Sequence, residues 1–382
     1  MSESLQRPQM TASLPPRAAA PLPPTSHLPG FTSCDCHAVV PMNCDEVTAL
    51  SVHAASRHVH LRLSLLLTAH GLPTEMRDDA FVLPAESFGA LGAVLGGLSR
   101  TERPDVLAVP WREGRLDPWH VAPLEQWVDR LSSRWFGDAS ERLRFHLQPI
   151  VNLRDGGVYG YEALVRAQLG ERLIGAGPLL QAAAAHGQSR GFDAHARRSA
   201  IRQAYPQLEP GQVLFINFAP GVVYNPDICL RTTFETCREV GADFSRLLFE
   251  VTESEAFPDL RLLGAILERY RAEGAQVALD DLGAGHTSLT YLAELRPDIV
   301  KLDRDLVRGL HGDDPRVPLV TALIRYAHDL GIRVVAEGIA TPEELGAVAE
   351  LGADYAQGYF LGRPAEAPAG LAPQAAPFWA SR

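Results

Sequence analysis

The chain has 382 residues, 46% of them hydrophobic, and a formal net charge of -11 at pH 7. That length holds more than one domain of about 150 residues, or one barrel of about 200–250 residues with a smaller companion. The acidic balance excludes a broad electrostatic grip on DNA or RNA polymers and leaves room for a small anion received by local cations or metal ions.

Residues 1–30 are rich in Pro, Ala and Ser, lack the apolar h-region of a signal peptide, and are expected to be a disordered tail. Residues 31–137 are expected to form a small α/β module with a regulatory or sensory role. "VTALSVHAA" and "DAFVLP" have the composition of strands. "VHLRLSLLLTAHG" and "FGALGAVLGGLSR" have the pattern of helices ending at glycines, and "APLEQWVDRLSSRWFG" that of one amphipathic connecting helix. The apolar run around Arg62 is too short to span a bilayer, so no membrane partner is expected. The five cysteines, Cys34, Cys36, Cys44, Cys229 and Cys237, do not make a disulfide framework, which points to a reducing, cytoplasmic setting. Cys34, Cys36, His37 and Cys44 offer thiolate and imidazole ligands, but the Cys-x-Cys spacing departs from a zinc finger, and an incidental cluster is the simpler reading.

From 138 to 370 the pattern changes, with a C-terminal tail expected over 371–382. Short apolar runs alternate with amphipathic helical stretches: "RFHLQPIVNL", "VYGYEALVRA", "QVLFINFA", "LLFEVTES", "QVALDDLG", "DIVKLDRD", "IRVVAEGIA" and "YAQGYFLG". Eight such runs in roughly 230 residues predict a modified (β/α)8 TIM barrel. The first two runs are joined only by "RDGG", which predicts a hairpin and therefore one antiparallel strand.

Barrels of this kind place reactive groups at the C-terminal ends of their strands. Read strand by strand, those ends carry Glu162, Asn217, Glu250 with Glu253, Asp280 with Asp281, Lys301, Glu337 and Gln357. An adjacent Asp pair alone is ordinarily a turn or a helix cap. Several carboxylates converging on one mouth need more counter-charge than one lysine supplies, because burying unpaired carboxylates is costly. Hard oxygen ligands of this kind suit Mg2+ or Mn2+, and two ions sharing a bridging carboxylate would account for the adjacent aspartates.

Taken in order, "QPIV", "YEALVR", "INFA", "FEVTES", "LDDLGAGHTSL", "VKLD", "AEGI" and "QGYFLGRP" resemble the EAL-domain cyclic-di-GMP phosphodiesterases over about residues 140–367. The resemblance implies a TIM barrel with one antiparallel strand, two Mg2+ or Mn2+ ions, and hydrolysis of cyclic di-GMP to linear pGpG in bacterial signalling. It implies Glu162, Asn217, Glu250 and Asp280 as ligands of one ion, and Asp280, Asp281 and Glu337 as ligands of the other. It implies that Lys301 deprotonates or positions the attacking water, that Glu253 steadies the loop after the fifth strand, and that Gln357 orients water or substrate. Gln148, Leu164 and Arg166 resemble substrate-binding positions, with Arg166 able to grip a phosphate oxygen. A homodimer through the barrel is implied as well. Leu282, His286 and Thr287 depart from the family pattern in the loop after the fifth strand, while Gly283 and Gly285 keep its turn feasible. A lysine beside metal ions is expected to have a lowered pKa. The alternative from another class is a barrel that binds cyclic di-GMP without turnover and signals through the N-terminal module.

Overall fold

The structure is a computed structural model that describes residues 38–251, 259–283 and 289–380. The expected tail, Cys34, Cys36, His37, Glu253, His286 and Thr287 lie outside the described residues.

Three strands make the centre of the N-terminal module. Val47–Ala54 lies between Ala80–Pro84 and Val106–Arg112, antiparallel to both. Met76–Arg77 extends the Ala80 edge, and Arg115–Leu116 the Val106 edge. The helix Arg57–Ala69 follows the first strand, and the helix Leu91–Gly96 precedes the Val106 strand. This order is the split βαβ, or ferredoxin-like, arrangement. Val106–Arg112 was not among the expected strands. Pro110 sits in its middle, and proline removes a ladder donor. The structure places Pro110 opposite Leu50, beside a bulge between Val47 and Ala49, where the loss of a donor is tolerated. The core is apolar and fully closed around Leu50, Val52, Leu63, Phe81, Leu124 and Trp127.

The connecting segment is two helices, not one. Leu124–Ser132 stops and Phe136–Ser140 resumes. At the break the Ser133 hydroxyl donates to the carbonyl of Asp129 at 2.6 Å, the local bond by which serine competes with a continuing helix. The first of these helices docks on the barrel. Arg130 is buried and donates through Nε to the carbonyl of Ala185 at 2.9 Å, and Gln126 reaches the same oxygen at 3.1 Å. That carbonyl ends the helix Ala176–Ala185 and has no partner within it, so side chains of the module cap a barrel helix.

The barrel strands, numbered in chain order, are β1 (Leu143–Asn152), β2 (Val158–Leu169), β3 (Val213–Phe218), β4 (Leu247–Val251), β5 (Gln276–Leu282), β6 (Ile299–Leu302), β7 (Arg333–Ala336) and β8 (Tyr355–Gln357). β1 runs antiparallel to β2 and to β8; every other neighbouring pair around the barrel is parallel. The sheet closes between β2 and β3, where a Cβ on Gly160 would lie 2.2 Å from the carbonyl oxygen of Val213. Only glycine permits that approach. Ile150, Phe215, Leu248, Ala278, Ile299 and Val335 fill the interior, so the barrel is a packed core and polar groups collect at its mouth. At the other end, Trp379 donates to the carbonyl of Leu153 at 3.0 Å. Among the described residues no helix is long and apolar enough to cross a membrane.

Candidate functional site

The mouth gathers one side chain from nearly every strand end. Lys301, on β6, is 1% exposed. Its Nζ lies 3.1 Å from Glu250, 3.4 Å from Asp280, 3.6 Å from Glu162 and 2.5 Å from Glu337. Four carboxylates from β2, β4, β5 and the end of β7 thus surround a single ammonium.

Glu162 is held from three sides. The amides of Asn217 and Gln357 donate to its two oxygens, each at 2.7 Å. Gln357 also reaches Gln148 at 3.3 Å, and Gln148 donates to the carbonyl of Gly362 at 3.3 Å. Glu250 is fully buried, and among the described residues neither of its oxygens finds a hydrogen-bond partner. Lys301 is close to it, yet not along a hydrogen-bonding direction, so the contact is one of charge alone.

The adjacent aspartates are brought together by backbone geometry. Successive residues of a regular strand point to opposite faces. Here the pairing of β5 with β6 shifts register between Leu279 and Leu282, and Asp281 takes a left-handed conformation at φ 59°. Aspartate is among the residues that tolerate that region. The turn lets the Asp281 amide donate to Asp280 Oδ1 at 2.9 Å. Asp280, Asp281 and Glu337 each then offer a carboxylate oxygen, and the three oxygens lie within 4.8 Å of one another.

Electrostatics within the cluster follow from this geometry. Burial opposes ionisation of Glu162, but Lys301 and the amides of Gln357 and Asn217 outweigh it and hold its carboxyl below the usual range. Burial pushes Glu250 well above that range; Lys301 opposes the rise and three neighbouring carboxylates reinforce it. Burial, with Asp280 and Glu162 nearby, carries Glu337 up to about 8 against the pull of Lys301. Burial, opposed by Lys301 and reinforced by Glu162, raises Asp280 as well. For Lys301, burial is outweighed by the surrounding carboxylates, and its pKa stands well above the ordinary value. The lowered value expected from sequence is that of a lysine beside bound metal ions, a different charge environment from this one. An orphaned, buried Glu250 and three converging acidic oxygens fit a divalent cation.

A cavity of about 480 Å3 opens over this cluster. Gln148, Glu162, Asp280, Lys301, Glu337 and Gln357 line its inner part. Its outer wall carries Arg304, Arg308 and Tyr359, none of which the strand-end pattern singled out. Leu164 lies apart from that wall, in a second, mainly apolar cavity of about 320 Å3 that also touches Glu162 and Asn217. Arg166 lines neither cavity; its guanidinium donates to the carbonyl of Val165 at 2.8 Å. Leu282 is buried at the end of β5 and packs there as an apolar residue.

Comparison with known proteins agrees with the geometry. The family model described as the EAL domain matches residues 133–364. An uncharacterized protein of Azorhizobium caulinodans is 34% identical over 231 residues, which are 58% of this chain and 31% of that protein. The cyclic di-GMP phosphodiesterase NbdA of Pseudomonas aeruginosa is 29% identical over 228 residues, 59% of this chain and 29% of that protein. The chain therefore spans less than a third of the length of either relative. Among solved structures, the c-di-GMP-bound form of a standalone EAL protein from Vibrio cholerae O395 superposes with a TM-score of 0.56 at 32% identity, over 61% of this chain and 97% of that one.

Proposed function

This chain belongs to the EAL-domain family, and from that premise we propose that it is a divalent-metal-dependent phosphodiesterase that hydrolyses cyclic di-GMP to linear pGpG. The observation that carries the reading is the convergence of Glu162, Glu250, Asp280 and Glu337 on one buried lysine, with both oxygens of Glu250 unsatisfied. Such a set stores repulsion unless cations enter it. Relatives of similar sequence are named for this activity, or were crystallised with this nucleotide.

Glu162, Asn217, Glu250 and Asp280 would hold one Mg2+ or Mn2+ ion, and Asp280, Asp281 and Glu337 a second. When bound, such ions lower the pKa of water and offset the charge that grows on a phosphate under attack. The chain's own groups do the rest. Asn217 and Gln357 fix the orientation of Glu162 through its two oxygens. Lys301 stands where it can orient a water or exchange a proton at Nζ, facing all four carboxylates. Gln148 and Gln357 form a linked pair of amides on the cavity wall, able to hold the substrate's polar edge. Hydrolysis adds water across one P–O ester bond, opening the ring and leaving one phosphate terminal.

The metal half of this reading is tested by thermal unfolding. Mn2+ at a hundredfold excess over its Kd is expected to stabilise the chain by about 2.7 kcal/mol. In Asp280→Asn, which removes the carboxylate common to both proposed ion sites, most of that rise should vanish. An unchanged melting temperature in the unmodified chain on adding Mg2+ or Mn2+ counts against metal dependence.

A further inference from the structure

The outer wall of the main cavity carries positive charge that the proposed chemistry does not use. Arg304 and Arg308 sit one helical turn apart, on and just after the short helix Arg304–Val307 that follows β6, and both line the cavity that holds the carboxylate cluster. Both are exposed, and among the described residues neither side chain makes an ion pair or a hydrogen bond. Most other arginines near the site are occupied. Arg316 is held by Asp314 and by the carbonyls of Asp305 and Arg308; Arg197 is buried against Asp193; Arg166 donates to Val165. Lys301 already faces four carboxylates.

The placement of Arg304 depends on its neighbour. Gly338, just beyond β7, has φ 74°, and a Cβ there would lie 2.4 Å from Cγ of Arg304. The aliphatic stem of Arg304 therefore crosses the bare backbone of Gly338. Two free guanidinium groups on one wall of an acidic cavity, in a chain of net charge -11, form a localised anion-binding edge.

We propose that Arg304 and Arg308 grip the second phosphate of a cyclic dinucleotide while the first lies over the carboxylate cluster. This rests on the reading of the substrate given above. A cyclic dinucleotide carries two phosphodiesters, and only one can occupy the reacting position. The other brings a full negative charge into a cavity whose inner wall is acidic, and needs a counter-charge at a distance from the cluster. Arginine suits this role because its planar fork meets phosphate oxygens two at a time. The pair makes the site selective for ligands with two phosphates over those with one.

The test compares cyclic di-GMP with GpG, the linear dinucleotide with a single phosphodiester. Calorimetric titrations in Ca2+ are made on the full chain and on Arg304→Met, Arg308→Met and the double variant. Methionine keeps the apolar stem across Gly338, and Arg308→Met alone carries the test if Arg304→Met unfolds. The double variant is expected to lose about 10- to 100-fold in affinity for cyclic di-GMP, the worth of charged hydrogen bonds to one phosphate, with GpG binding unchanged within about twofold. Unchanged affinity for cyclic di-GMP, or an equal loss for both ligands, overturns the proposal. An unmodified chain that binds neither nucleotide refutes the substrate reading itself, a result distinct from loss in the variants alone.

Discussion

Lys301→Met is expected to lower turnover of cyclic di-GMP by about a hundred- to ten-thousand-fold, the range for removing a positioned proton-transfer group. Among the described residues Lys301 is the only ammonium facing Glu162, Glu250, Asp280 and Glu337, and it is almost fully buried. The same substitution leaves four acidic groups without their cation, which costs roughly 3–5 kcal/mol when a buried charge loses its partner. The two effects separate by experiment. Saturating Mn2+ should restore much of the stability, because the ions supply the missing positive charge, but it should not restore the rate. Denaturant midpoints and initial rates, each with and without Mn2+, decide this. A variant that turns over at the unmodified rate removes Lys301 from the chemistry.

The second large effect is on stability and lies below the mouth. Arg197 is 2% exposed, paired with Asp193, and donates through Nε to Thr233 at 3.3 Å, with its guanidinium 5.6 Å from the ring of Phe218. Burial opposes its charge, but Asp193 outweighs burial and holds its pKa above the ordinary value. Asp193 in turn accepts from the amide of Ala219, the residue after β3. This pair therefore ties a barrel helix to the strand that carries Asn217. Arg197→Met should destabilise the chain by about 3–5 kcal/mol, since Asp193 loses its arginine in a confined place. Adding Asp193→Asn to that variant should recover part of the loss, because a pair replaced together leaves no unmatched charge. Urea midpoints for the two variants test this. A loss below about 1 kcal/mol in Arg197→Met shows the pair to be dispensable.

Much of the barrel was legible in the sequence because its signals are local. Eight apolar runs ended in polar residues, and "RDGG" left room only for a hairpin, so the antiparallel β1 follows directly. The cluster of Glu162, Asn217, Glu250, Asp280, Lys301, Glu337 and Gln357 was legible for the same reason: strand ends in a barrel converge whatever lies between them. What was not legible depends on tertiary neighbours. Arg304 and Arg308 sit in "LDRDLVRGL", where they read as ordinary solvent-facing charges; only the cavity shows that they share a wall. The Val106 strand was hidden by Pro110, whose tolerance depends on a bulge in the partner strand. The break at Ser133 depends on a hydroxyl bond that competes with helix propagation. The capping of Ala185 by Arg130 and Gln126 joins segments more than 50 residues apart, beyond any periodicity in the sequence.

That capping joins the N-terminal module to a barrel helix that borders the second cavity. The helix it holds contributes Ala176 and Leu180 to the cavity shared with Leu164, Glu162 and Asn217.

The most direct test of the central reading is turnover itself. The purified 382-residue chain is incubated with cyclic di-GMP and Mg2+ or Mn2+, with and without EDTA, and the nucleotides are separated by chromatography. The account predicts linear pGpG with metal and none with EDTA. Cyclic di-GMP that binds the chain with Mn2+ present, yet is recovered unchanged, would contradict it and leave a barrel that receives the nucleotide without cutting it.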